Sequence, residues 1–529
     1  MVRIMVRRFI QSGGRSRLPF RFVGPGLCLS FVLFFFWHHP PASLILLGIA
    51  AGLAWMRLEI AIALLPLTFP YYLDLLPLNS SGSLAFSLNE LGVLICLGVA
   101  CLRNILLAQE RRATWEWLHG LWRRARLLLL PALLFLIGAA LAVLVSPDRH
   151  ESLRAYREEI LEPILYFLLI LRYLRTRDDL ARTMGAFILS TTIAAGMGII
   201  QGLLHITSDL LIVDATTFRV NGPYGSPNNL AFLLDRALPI LLALTFLGVR
   251  RPAADASQEP PAWRDPLRWI CLGAMIPLVW ALYWTGSRGA EVALLGVLFL
   301  YFIFEVRHWG AILAVAGAGV LCVALFWSRI LQLFNEAGHG LLSERFLLWK
   351  AALLIIRDHL LLGTGPDSFN TLYIPTAPNS YALQALDGQS FPAAYNPHLS
   401  HPHNFFLDFW ISSGLLGVVA WFWLLAASAT ILARTYRLCA PPLRQGRILQ
   451  RLLLGIAGAI VTSLVHGLVD NSYFVPDLAL MFWFFMGTLL VIQAIAQREN
   501  QIIHSQQKKG AVPETPLEAS LLATRDDVM

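Results

Sequence analysis

Apolar runs recur along the whole chain, separated by short polar segments rich in arginine. At 1.5 Å per residue, a helical run of about 20 residues matches a hydrocarbon layer ~30 Å thick. The runs are continuous and do not alternate with period two, so they predict helices rather than a barrel. Fourteen candidate spans follow, at 21–37, 41–56, 59–73, 84–103, 127–146, 160–175, 183–205, 230–249, 268–285, 289–305, 309–328, 404–433, 451–468 and 478–497. Pro66 and Pro70 interrupt the third. The fold class expected is an all-α, polytopic integral membrane protein of about 12–14 transmembrane helices, with one large external loop containing an amphipathic helix.

Charge then orients the runs. The segments 103–126, 172–182, 250–268 and 434–451 carry clustered arginines, and with 14 spans all fall on one side together with the basic N-terminus. Segments 74–90 and 469–477 contain no Lys or Arg and fall on the other side. Basic loops mark the cytoplasmic face, so both termini are expected there. The organisation expected is a basic tail over 1–20, spans 1–11 over 21–328, a large outer loop over 329–403, spans 12–14 over 404–497, and a disordered cytoplasmic tail over 498–529. No convincing small-residue cleavage site follows the N-terminal arginines, so the first run is expected to stay as a helix.

Composition agrees: 57% of the 529 residues are hydrophobic and 14% charged, with a mean hydropathy of +0.62. The net charge of +8 does not indicate nucleic acid, because the basic residues sit in short loops between apolar runs. None of the six cysteines falls in an outer segment, so no external disulfide is expected. No internal repeat is visible, which weakens a transporter built from duplicated halves.

Four polar motifs fall on the outer side. Arg219-Val220-Asn221-Gly222-Pro223-Tyr224-Gly225-Ser226-Pro227-Asn228-Asn229 is rich in turn formers, with Asn228 or Asn229 expected to cap the next helix. A helix N-terminus beside Arg219 is either an anion site or an ordinary loop with one interfacial arginine. Ser287-Arg288-Gly289 joins two apolar runs tightly; Arg288 either pairs with Glu291 or aims at phosphate oxygens. In the large loop, 343–362 reads as an amphipathic helix ended by Gly363, with Trp349 and the leucines resting on the membrane. The loop ends on His398, His401, His403 and Asn404, where polar chain meets an apolar run. Metal binding by these histidines is weak, since no carboxylate sits at ligand spacing in the sequence. His466 and Asp470, four apart, share a helix face and read as a capping pair or as part of a site. Asp235 and Arg236 lie just inside a span, where buried charge is often functional; the sequence assigns them no role.

Taken together, the motifs over roughly 183–490 resemble the O-antigen ligase and polymerase superfamily of bacterial envelope proteins. The residues carrying the resemblance are the Arg219–Asn229 turn, Ser287-Arg288-Gly289, Arg345 through Phe369, His403-Asn404-Phe405-Phe406-Leu407 with Gly414-Leu415-Leu416-Gly417, and His466 with Asp470-Asn471. The resemblance implies a metal-independent, cofactor-free glycosyltransferase of the GT-C type in the bacterial cytoplasmic membrane. It would move a glycan from undecaprenyl pyrophosphate to a glycan or lipid-linked acceptor, such as lipid A–core, on the outer side. It implies pyrophosphate binding by Arg219 and Arg288 and a base at His403, with His401 the alternative and Asn404, Arg345, His466 and Asp470 in support.

Elementary chemistry runs the same way: outer arginines can neutralise a departing pyrophosphate, and histidine is the usual base near neutral pH. The Asp-x-Asp often carried by metal-using lipid-linked glycosyltransferases is absent from the first outer loop, which offers Asp74 and Glu90. A repeat-unit polymerase, a protein O-glycosyltransferase and a non-catalytic lipid-linked glycan transporter are the competing readings. Polar groups gathered at one surface favour an enzyme over a transporter.

Overall fold

The computed structural model describes residues 20–36, 40–73, 76–77, 85–206, 212–214, 217–247, 265–305, 341–377, 379–388, 391, 401–439 and 444–508. The chain is an all-α bundle with two minimal antiparallel ladders. The helices are α1 Phe20–Phe36, α2 Pro40–Met56, α3 Leu58–Leu64, α4 Leu88–Leu106, α5 Ala108–Leu144, α6 Arg149–Tyr156, α7 Glu162–Tyr173 and α8 Arg177–Leu203. They continue as α9 Pro227–Phe246, α10 Pro266–Thr285, α11 Arg288–Glu305, α12 Leu341–Asp358, α13 Phe369–Tyr373, α14 Tyr381–Leu386, α15 Phe405–Leu438, α16 Arg444–Gly467 and α17 Pro476–Lys508.

Eight of the described helices are long and apolar enough to cross a membrane, and nine spans result if the bent pair 42–71 counts as one. The protein is therefore an integral membrane protein of the expected class. The runs at 41–56 and 59–73 form that bent pair, with limbs 118° apart. The second limb is α3 followed by a 3-10 turn over Leu65–Tyr71, because prolines at 66 and 70 withdraw the amide protons that an α-helix needs. The run at 21–37 appears as the shorter α1. That at 160–175 appears as the 12-residue α7, entered through a π turn at Arg157–Leu161. α11 carries Arg288, Glu291 and Glu305. The run at 309–328 and the N-terminal residues 1–19 lie outside the described residues, as do Cys322 and His398.

Two polar segments are more helical than expected. The basic stretch 103–126 is mostly the first part of the 37-residue α5 rather than a loop. α17 runs on to Lys508, so the eleven residues from Arg498 are helical rather than disordered. Glu499 accounts for part of this: its carboxylate holds the Arg177 guanidinium in two bonds of 2.6 and 2.7 Å. Residues 509–529 lie outside the described residues.

α17 is the central element, with 83% of its apolar window buried. It packs on α7 and on α15. α15 also packs along α5, where a Cβ on Gly138 would stand 3.0 Å from the Gly417 amide nitrogen. Small residues permit that approach, which in a membrane supplies the van der Waals contact that holds helices together. α9 lies between α16 and α10.

The large loop folds onto the upper part of α15. Leu348, Ala352, Ile355, Phe369, Tyr373 and Ile411 form its own small apolar core. Its anchor is a break in α15 at Gly414, whose backbone is non-helical (φ 63°, ψ −168°). The released Ile411 carbonyl accepts from Thr364 N at 2.7 Å, and Leu415 N donates to the Leu361 carbonyl at 3.1 Å. Gly363, expected as a helix terminator, has φ 70°, and a Cβ there would meet the Ile411 carbonyl at 2.4 Å. Both the left-handed backbone and the contact require glycine. Gly363→Ala is expected to destabilise the protein by roughly 1–3 kcal/mol, read as a lower unfolding temperature of the purified protein in detergent. An unchanged midpoint would show that the loop is not anchored this way.

Candidate active site

The outer motifs converge where α9, α11 and α15 begin and α16 ends. His403 precedes α15 with a left-handed backbone (φ 49°), a conformation costly for a non-glycine residue. Asn404 holds it there. Its side-chain oxygen accepts from Phe406 N and Leu407 N at 3.1 and 3.2 Å, capping α15, while its amide donates to the Leu468 carbonyl at 2.9 Å. One side chain thus starts the helix and ties it to the turn carrying Asp470. Trp349 is turned to the same place, its indole N–H donating to the His403 carbonyl at 3.4 Å rather than resting on a membrane surface.

His403 Nδ1 lies 2.6 Å from Asp470 Oδ1. Asp470 is 4% exposed. Burial alone would raise its carboxyl; the charge and hydrogen bond of His403, with His401 and His466 nearby, outweigh it and hold the group well below the usual carboxylate range. Asp470 therefore stays ionised and can only accept. The Nδ1 proton of His403 goes to it, leaving Nε2 with a free lone pair. Asp470 also accepts from Asn471 N at 2.8 Å, and its second oxygen accepts from Asn228 Nδ2 at 2.7 Å.

Asn228 continues the chain. Its carbonyl accepts from Arg219 Nη2 at 3.0 Å, while Arg219 Nε donates to the Thr285 carbonyl at 2.6 Å. The expected cap is displaced: Ser226, not Asn228 or Asn229, caps α9 by accepting from Asn228 N, because Pro227 suits the first helical position. Asn228 is thereby free to bridge, and Asn229 donates to the Tyr72 hydroxyl at 2.9 Å. Burial lowers the pKa of Arg219, and the neighbouring Arg345 lowers it further against the pull of Asp470. An arginine remains charged through such a shift.

His466 is part of a second, deeper arrangement instead of pairing with Asp470. Its Nδ1 lies 2.7 Å from Asp235 Oδ2, its Nε2 lies 3.3 Å from Ser287 Oγ, and its ring stacks on Phe232. All three polar residues are buried. The chain Asp235–His466–Ser287 fixes the Ser-Arg-Gly turn, which also touches Arg219 through Thr285. Arg288 follows at the first turn of α11, exposed, and makes no ion pair with Glu291 among the described residues. Arg236 is fully inside, donating to the Phe232 and Ser472 carbonyls at 2.7 Å each, so it pins α9 to the turn bearing Asp470. Asp235 and Arg236 are the residues that sequence reasoning left unassigned; charges in an apolar run were the available signal.

The His401 ring lies against His403, centroids 4.6 Å apart and planes tilted by 53°, with Nε2 4.0 Å from Asp470. The ligating atoms of His401, His403 and Asp470 all lie within 4.8 Å of one another. The sequence argument that no carboxylate stands at ligand spacing fails here, because Asp470 arrives from another helix. Burial, then the charge of His403, pushes His401 down to about 3 despite Asp470. It is neutral at physiological pH and a far weaker base than an ordinary imidazole. The unfolded chain binds a proton at His401 below pH ~6.5 while the folded chain does so only near 3, so this group makes stability rise with pH across that window. Wild type is expected to lose more unfolding temperature than His401→Gln between pH 6.5 and 4; equal losses would contradict the placement of His401.

A search of curated proteins returns no match to the chain. Residues 273–422 do match the family model described as O-antigen ligase, a segment that runs from α10 through Ser287-Arg288-Gly289 and the large loop to the His403-Asn404 cap and the Gly414 break. On that match, the segment from α10 into α15 is similar to O-antigen ligases.

Proposed function

We propose that the protein is an inverting, metal-independent glycosyltransferase of the ligase type. It moves a glycan from undecaprenyl pyrophosphate to an acceptor sugar hydroxyl, of lipid A–core or another surface glycan, at the outer face of the bacterial cytoplasmic membrane. The observation that carries this reading is the His403–Asp470 bond beside Arg219. A base with an oriented lone pair and a cluster of guanidinium groups are the two things the reaction needs.

The acceptor oxygen attacks the anomeric carbon as the bond from that carbon to the pyrophosphate oxygen breaks. The hydroxyl proton passes to His403 Nε2, and Asp470 stabilises the imidazolium that forms. The bonding pair leaves with the pyrophosphate, whose growing charge is met by Arg219 and Arg288, with Arg345 alongside. Direct attack inverts the anomeric centre. His401, neutral and weakly basic, shapes the pocket and serves as no base.

The lipid tail also has a place in this reading. An apolar groove of about 600 Å³ runs from Gly222, Pro223 and Tyr224 between α1 and α8, past Phe31 and Ile193. It begins three residues from Arg219, so a pyrophosphate at the arginines would leave its prenyl chain in the groove. The positive-inside bias puts this end of the bundle outside the cytoplasm and both termini within it. The family description favours a ligase over a polymerase, since the two differ in acceptor alone.

His403→Gln is expected to lower turnover by about 10²–10⁴ with unchanged unfolding temperature, and Asp470→Asn to lower both turnover and unfolding temperature, since the amide cannot accept from both His403 and Asn228; turnover is measured as transfer from a purified lipid-linked donor. An unaffected rate in His403→Gln would remove the base from this account. A chelator is expected to leave the wild-type rate unchanged; loss restored by zinc would reassign His401, His403 and Asp470. A strain lacking the gene is expected to accumulate long undecaprenyl-linked chains, because polymerisation has run and transfer has not. Accumulated single repeat units would make the protein a polymerase.

A further inference from the structure

At the end of the bundle opposite His403 there is a second cavity, of about 630 Å³, that the glycan transfer does not use. α15 and α17 connect the two. Both begin near the site; α15 reaches the cavity at Ile431 and Arg434 after more than 20 residues, and α17 lines it from Leu490, about 14 residues or ~21 Å beyond Pro476, to Arg498. Arg123 and Arg126 of α5 and Arg175 at the α7–α8 junction line it from the other side. Five arginines from four separate parts of the chain therefore border one space. Glu116 is the one carboxylate among the residues lining it. The nearby acid of α17, Glu499, is engaged by Arg177.

Topology alone accounts for arginines at this end of a membrane bundle, in loops that face water. It does not account for their convergence around a cavity that Leu171, Leu174, Leu490 and Val491 also line. Gln493 and Gln497, one helical turn apart on α17, add neutral donors between the two surfaces. Guanidinium groups at the rim with leucines behind them are complementary to a phosphate joined to acyl chains. Arginine favours this chemistry because its planar fork matches phosphate oxygens in pairs.

The geometry points to a binding site for the phosphate headgroup of an anionic phospholipid, with its acyl chains lying along the α7 and α17 wall. Basic pockets between transmembrane helices at the cytoplasmic surface are suited to such headgroups. The ligand would be a resident of that leaflet, bound at the opposite end of the bundle from the lipid-linked donor. It would brace the junction of α5, α15 and α17, the helices that carry the site at their far ends or pack against those that do.

The test uses the full-length chain purified in a neutral detergent and examined by native mass spectrometry with phosphatidylglycerol or phosphatidylcholine added in equal amounts. Wild type is expected to retain phosphatidylglycerol about tenfold more than phosphatidylcholine. The combined Arg126→Gln, Arg434→Gln, Arg498→Gln variant is expected to lose that excess while keeping its unfolding temperature. Equal retention of the two lipids by wild type, or undiminished phosphatidylglycerol on the variant, would overturn the site. Should the combined variant fail to fold, the three single changes are read in its place, and a full excess in all three overturns it equally. Excess inorganic phosphate is expected to leave the bound lipid in place. Displacement of the lipid by phosphate would assign the arginines to a free anion and overturn the lipid reading. None of these readouts measures glycan transfer, so they stand or fall apart from the proposed reaction.

Discussion

The site is organised by one carboxylate, Asp470, buried at the turn between α16 and α17. It accepts from His403, from Asn228 and from the Asn471 amide, and so joins α15, α9 and its own turn. An ionised group this far from water persists only when it is surrounded by donors. The donors in turn are held by Asn404 and Arg219, and these by the Leu468 and Thr285 carbonyls. The polar face of the protein is therefore one connected network. Removing its central acceptor would leave several donors buried without partners.

Beneath it the Asp235–His466–Ser287 chain repeats the same logic in apolar surroundings. The two histidine–carboxylate pairs differ in exposure: His403 is 20% exposed on its side chain and His466 2%. The first can meet a substrate; the second can only set the geometry of Ser287 and hence of the turn that presents Arg288. Similar side-chain chemistry thus occurs once where a ligand can reach it and once where none can.

Much of this was legible beforehand because membrane helices announce themselves by length and apolarity. Every apolar run within the described residues became helix, although Pro66 broke one and charges at Arg288, Glu291 and Glu305 marked another. The polar helices were harder to see. The first part of α5 and the end of α17 lack an apolar face long enough to signal, and their helicity rests on good helix formers continuing an established helix. Within the site, Arg219, Arg288, His403 and Asp470 stood out as polar groups at run ends. Their pairing did not, because His403 and Asp470 are 67 positions apart. Nearness in sequence misled twice. His466 lies in the last turn of α16 while Asp470 falls in the turn beyond it and bonds His403 instead, and Asn228 sits beside a helix start that Ser226 caps. Asp235 was hidden by its apolar neighbours, which carry no hint of the histidine that reaches it from another helix.

The break in α15 gives the molecule a mechanical property. The nine residues from Phe405 to Ser413 form a short lever, separated from the rest of the helix at Gly414 and clamped to the large loop through Thr364 and Leu361. His403 stands just before its first residue, held by Asp470, Trp349 and the tie from Asn404 to Leu468. The large loop is thereby bonded to the same short segment that leads from His403, while the rest of α15 packs along α5.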